Sequence, residues 1–176
     1  MEFKISFRRQ IQLLKSDLIG YLVGIIVLGI FVWNVNYGDI VETSIVLLIT
    51  LTPLLLPLLV IHLNYLFINR NQIVTIDKDQ NSIIICRSGL DRFLLFMDIE
   101  SIIVFKGLCY KNEKKTKNVW TALNVPMRLP WSDYGYIQII FKDKEVLFLT
   151  ALMIDLKKIP FDNYRTEYRV LPIIIS

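Results

Sequence analysis

Histidine is nearly absent from this chain: among 176 residues only His62 carries an imidazole, and it stands inside an apolar run. Chemistry that needs a nucleophile, a base and an orienting group therefore finds no imidazole in the C-terminal part, and the reading is a non-enzymatic protein with no catalytic residue. Carboxylate pairs such as Asp98 and Glu100 share one face of a strand, where a solvated surface explains them. Cysteine is almost as scarce. Cys86 and Cys109 have neither CxxC spacing nor a neighbouring histidine, which excludes a zinc site, and free thiols in a reducing compartment are expected ahead of a disulfide or a reactive thiol. The seven glycines are scattered singly, so no glycine-rich phosphate loop is present and no cofactor or metal is implied. A net charge of +4 is too small to imply a nucleic-acid polymer as partner.

Basic residues are also missing from one long stretch, since none occurs between Lys15 and Arg70. A hydrophobic fraction of 54% and a mean hydropathy of +0.49 exceed what an ordinary soluble domain needs, and the excess lies in that stretch. Leu18–Tyr37 is twenty residues without a charge and Ser44–Ile68 is twenty-five, each long enough to cross a hydrocarbon core about 30 Å thick. Between them Asn34, Asn36, Gly38, Asp39 and Glu42 mark a turn in water. The expectation is a two-helix transmembrane hairpin over 17–69, following an amphipathic cytoplasmic tail over 1–16 in which Phe3, Phe7, Ile11 and Leu14 recur opposite Arg8, Arg9 and Lys15. Basic residues flank the apolar stretch only at its outer ends. That asymmetry places both termini in the cytoplasm of a multi-pass protein, with Trp33 and Tyr37 towards the outer interface.

Three features inside the apolar stretch bear on mechanism. Pro53 and Pro57 predict a kink, Gly20 and Gly24 form a GxxxG that permits helix packing or homo-oligomerisation, and His62 is expected to be hydrogen-bonded or to reach the headgroups.

After Arg70 the pattern becomes short β-type runs. Gln72–Asp77 and Ser82–Cys86 flank the turn Lys78–Asn81; Phe93–Phe96 and Ile102–Phe105 follow; Tyr136–Phe141 and Val146–Thr150 flank the charged turn Lys142–Glu145. Val119–Leu123 and Asn124–Leu129 predict another strand pair, bent by Pro126 and Pro130, and Tyr168–Ile175 a final strand. One short helix is predicted at Ala151–Lys158, ended by Pro160. Strands in this number suggest a small barrel or sandwich over 70–176, membrane α joined to an all-β or α+β domain. In it, Lys106, Lys111, Lys114, Lys115 and Lys117 crowd a loop suited to an anionic leaflet. Arg87, Arg92 and Arg128, with Trp131, Tyr134 and Tyr136, are candidates to line a pocket for a phosphate-bearing ligand, because arginine forks phosphate oxygens and aromatic rings stack on bases.

Two apolar helices, then FMDIESIIVF at Phe96–Phe105, then YIQIIFKDKEVLFLTAL at Tyr136–Leu152, resemble bacterial PH-like domains attached to membrane hairpins. That resemblance implies an inner-membrane protein whose cytoplasmic domain binds a partner, lipid or small ligand. The layout is also similar to the two-helix barrel effectors of CBASS anti-phage systems. This second resemblance implies an antiviral defence role in which the barrel senses a cyclic nucleotide and the helices assemble to breach the membrane.

Overall fold

A computed structural model describes residues 1–35, 39–87, 89–107, 131 and 133–175. Strand β1 (Glu2–Lys4) leads into helix α1 (Phe7–Val35), and helix α2 (Ile40–Asn69) follows. The Asp39 carboxylate caps α2, accepting from the backbone N–H groups of Val41 and Glu42 at 2.8 and 3.1 Å. Proline removes a backbone donor and its ring collides with the carbonyl one turn back, so α2 does not stay straight. Its segments Ile40–Pro53 and Leu55–Asn69 lie at 46° to each other.

This corrects the expected two-helix transmembrane hairpin. Among the described residues no single helix is long and apolar enough to cross a membrane: α1 has only Leu22–Val35 as an apolar segment, and α2 is broken at its prolines. Only the two bent segments of α2 taken together have the length and composition of a span. The first residues differ as well. Glu2–Lys4 is a strand paired antiparallel with Ile73–Thr75, not part of an amphipathic surface helix.

Among the described residues the remaining strands are β2 (Gln72–Asp77), β3 (Ser82–Arg87), β4 (Leu90–Leu95), β5 (Ile99–Gly107), β6 (Gly135–Phe141), β7 (Val146–Thr150) and β8 (Arg165–Arg169). Their turns have a local cause. Asp77 accepts from the N–H groups of Asp79 and Gln80, and Asn81 adopts a left-handed φ of 50° between β2 and β3. Asp143 accepts from Glu145 N–H, and Lys144, at φ 68°, completes the β6–β7 turn. Alternate residues of β2, namely Gln72, Val74 and Ile76, are buried, as the strand period requires.

Of the expected barrel or sandwich, no closed barrel forms: among the described residues the strands make two four-stranded sheets, ordered β1-β2-β3-β4 and β7-β6-β5-β8. A 3₁₀ turn at Phe96–Asp98 breaks the chain between β4 and β5, which belong to different sheets. The edge beside β5 is taken by β8 in parallel pairing. The final strand is therefore Arg165–Arg169 and not Tyr168–Ile175. The short helix predicted at Ala151–Lys158 is instead a run of turns in which Thr150 C=O accepts from both Met153 and Ile154 N–H. Ala151, Leu152, Met153, Ile154 and Leu156 are all buried, leaving no polar face for an amphipathic helix. The strand pair predicted across Val119–Leu129 lies outside the described residues.

Candidate binding surface

The second half of α2 belongs to the core of the sheet domain. Leu58, Ile61, His62, Tyr65 and Asn69 are buried at spacings of three and four residues, one stripe of the helix. Its polar members each find a partner on the sheets or beyond them. His62 Nδ1 shares a hydrogen bond with the Tyr134 hydroxyl at 2.9 Å; Tyr65 O–H donates to Pro172 C=O at 2.7 Å; Asn69 Nδ2 donates to Phe148 C=O at 2.8 Å. Asn64 does both, donating to Ile174 C=O and accepting from its N–H. Tyr65 also meets the Tyr134 and Tyr136 rings, with centroids at 5.8 and 6.3 Å. This stripe was legible only as scattered polar residues in an apolar run. Its signal was the helical spacing of His62, Tyr65 and Asn69.

Arg9 has a similar role on α1. Its Nε donates to Ala151 C=O at 3.1 Å and its Nη2 to Ile154 C=O at 3.3 Å, with Asp155 at 3.4 Å, so it satisfies the carbonyls of the turns after β7. Sequence reading assigned it to the leaflet surface.

Of the six residues proposed to line a ligand pocket, the five described ones are not gathered in one place. Arg87 and Arg92 are exposed, and both line an open cleft of about 610 Å³ between β4 and β7, with Leu90, Asp91, Glu145 and Phe148. Arg92 pairs with Glu145 across that cleft. The aromatic members are in the core instead: Trp131 donates Nε1–H to Val170 C=O at 2.8 Å, Tyr134 holds His62, and Tyr136 stacks on Phe105 at 4.6 Å. None of these rings presents a face to a ligand. Burial pushes the Tyr136 hydroxyl above its ordinary pKa, with Glu167 adding to the rise and Arg169 opposing it. Lys106 is half-buried on β5; Arg128, Lys111, Lys114, Lys115 and Lys117 lie outside the described residues.

A Cβ built at Gly24 would meet nothing within 4 Å, whereas one at Gly29 would lie 3.9 Å from Leu47 Cδ1, so Gly29 stands on the side of α1 that faces α2. The surroundings of Gly20 are outside the described residues. Among the described residues no cluster of His, Cys, Asp or Glu could hold a metal ion.

Cys86 lies opposite Asp91 across the β3–β4 ladder. A hydrogen bond to that carboxylate, with desolvation and its negative charge, raises the thiol pKa. The thiolate is the reactive form, so alkylation of Cys86 by iodoacetamide is expected to be slower than that of a free thiol at pH 8. Asp91→Asn should speed it several-fold, read by mass spectrometry in a Cys109→Ser background. Equal rates with and without the carboxylate would contradict this assignment.

Two four-stranded sheets share one hydrophobic core with the second half of α2. The family profile for the PH domain matches residues 2–160, so the chain belongs to the PH domain family, and the match takes in both helices as well as β1 to β7. PH domains are binding modules for lipids or proteins. No curated protein and no solved structure matches this chain. In this member the helix that packs on the sheets comes from the N-terminal side, through Leu58–Asn69 of α2.

Proposed function

We propose that this chain is a PH-family binding module held at the bacterial inner membrane, with its apolar helix surface immersed in lipid and its sheets on the cytoplasmic side, where they bind a lipid or protein partner. One observation carries the reading: outside the buried stripe, the helices expose large apolar side chains in quantity. Ile26 and Val27 on α1 are 60% and 61% exposed; Leu48 and Ile49 on α2 are 68% and 65% exposed. Soluble monomers rarely leave an apolar patch of more than a few hundred Å² in water.

The polar groups on this surface are compatible with lipid. Ser44, Thr50 and Thr52 each donate their hydroxyl at 2.7 Å to the carbonyl one turn back, at Ile40, Val46 and Leu48, so none needs water. The only charges on α2 before Arg70 lie at its start, where Glu42 follows the capping Asp39. Arg8, Arg9, Lys4 and Arg70 collect at the opposite end, beside the sheets, which supports the cytoplasmic placement.

The test is extraction of membranes from cells expressing the full chain. The protein is expected to stay in the pellet through carbonate at pH 11 and to float with neutral phosphatidylcholine vesicles. An Asp at the centre of a lipid-immersed helix costs about 3 kcal/mol, so Leu48→Asp with Ile49→Asp should shift most of the protein to the soluble fraction. Release of the unaltered chain by carbonate, without detergent, would remove this reading.

A further inference from the structure

Among the described residues, β1, β4, β7 and β8 are the edge strands of the two sheets, and three of them are shielded. β1 is three residues long and carries the ion pair between Lys4 and Glu2. On β7 the Phe148 carbonyl accepts from Asn69, and the Thr150 carbonyl from Met153 and Ile154 N–H. On β8, Arg165, Glu167 and Arg169 place a charge at every second position. Shortness, occupied backbone groups and charge are the usual means of keeping a sheet edge from pairing. β4 is different. It runs for six residues, LDRFLL, without lysine or proline, and Leu90 and Phe93 are 78% and 57% exposed. Both of its charges are engaged within the chain: Asp91 faces Cys86 and accepts from its thiol, and Arg92 pairs with Glu145.

The backbone of β4 is open as well. Residues of an antiparallel pair alternate between bonded and non-bonded positions, and Phe96 N–H donates to Asn81 C=O at 2.8 Å. Leu90, Arg92 and Leu94 therefore turn their backbone groups to β3, while Asp91, Phe93 and Leu95 turn theirs to the open side. That side borders the cleft of about 610 Å³ between β4 and β7, whose apolar lining includes Phe67, Ile85 and Phe148. Arg87, next to Leu90 across the β3–β4 ladder, also lines it. Arg87 is exposed and makes no ion pair with a carboxylate among the described residues.

We propose that β4 takes one extended segment of a protein partner as an added strand, with an acidic side chain on Arg87 and an apolar one two positions away in the cleft. A row of free N–H and C=O groups selects a strand, and side chains at alternate positions give the choice of sequence. The unpaired guanidinium sets the charge of the partner, because an arginine beside apolar lining gains most from a carboxylate that it can fork. A small acid would satisfy Arg87 and leave the backbone row unpaired. A second copy of β4 is the poorer occupant, since its one acid, Asp91, is already turned to Cys86. The proposal rests on the partner-binding part of the reading above, and names the strand and the kind of partner.

The experiment uses the full chain in detergent and a fluorescein-labelled decapeptide that alternates valine and threonine, with one central valine replaced by glutamate. Saturable binding is expected by fluorescence polarisation, and lysine in place of the glutamate should weaken it by about tenfold or more. N-methylation along the pairing edge of the peptide should abolish binding. Arg87→Gln should cost the glutamate peptide about tenfold and remove its advantage over an all-valine version. Phe93→Pro deletes only an N–H on the open side, where an edge strand tolerates proline, and should also abolish binding. No saturable binding, equal binding of the glutamate and lysine peptides, or full binding of the N-methylated peptide would each overturn the site. So would a dimer of the unaltered chain in light scattering that Phe93→Pro splits, because a second copy would then hold the edge. Carbonate extraction separates the two levels: a chain that stays in the pellet and binds no peptide loses this site alone, and a chain that is released and binds the peptide loses only its membrane placement.

Discussion

Tyr65→Ala is expected to cost about 3–5 kcal/mol, the usual range for deleting a large buried aromatic ring, and to lower Tm on the order of 10 °C. The residue is fully buried, and three things are lost together. The hydroxyl no longer donates to Pro172 C=O; the ring contacts with Tyr134 and Tyr136 disappear; and a cavity is left where α2 meets the sheets. Tyr65→Phe separates these contributions. It keeps the ring and leaves the Pro172 carbonyl unpaired, for a cost of about 1–2 kcal/mol. If thermal denaturation places Tyr65→Ala within a degree or two of the unaltered chain, α2 is not part of the core as described here.

Gly135→Ala is the second large effect, with a different origin. A Cβ at this position would lie 2.5 Å from the Phe105 carbonyl oxygen and 2.6 Å from Leu156 Cδ1. The leucine methyl can swing aside. The carbonyl cannot, because Phe105 is held in the β5–β6 ladder, where Lys106 faces Gly135 and Phe105 faces Tyr136. Forcing an atom into such a site costs about 1–3 kcal/mol, and the upper end is expected because the obstruction is backbone. Gly24→Ala supplies the contrast. Nothing stands within 4 Å of its Cβ position, and it lies inside α1. Alanine there should be neutral or should stabilise by up to about 1 kcal/mol. Opposite signs at the two glycines are the expected result of a paired melt; a loss at Gly24 matching that at Gly135 would mean that steric obstruction is not the cause.

Both predictions concern contacts between parts of the chain far apart in sequence, and that is where sequence reading and structure part company. The hairpins β2–β3 and β6–β7 were legible because alternation and a turn rich in Asp, Asn and Lys are local signals. The helical character of 44–68 and its disturbance at Pro53 and Pro57 were legible for the same reason. The arginine and aromatic set was less so. Trp131, Tyr134 and Tyr136 have the composition of a stacking surface, but their rings serve the core, because a buried hydroxyl or indole N–H needs a partner and found one at His62 or Val170.

Local order therefore came from residues a few positions apart: strand alternation, capping by Asp39, proline's missing donor, and a charge-free stretch with cations only at its outer ends. The rest depended on which distant segments found each other. β1 crosses both helices to pair with β2, β8 joins β5 in parallel, and these choices make two open sheets where a closed barrel was equally consistent with the strand pattern. The same holds for α2, which is apolar nearly all round in sequence. Its inward side carries the groups that pair with the Pro172, Phe148 and Ile174 carbonyls and the Tyr134 hydroxyl, and burying a stripe without them would leave those groups unpaired.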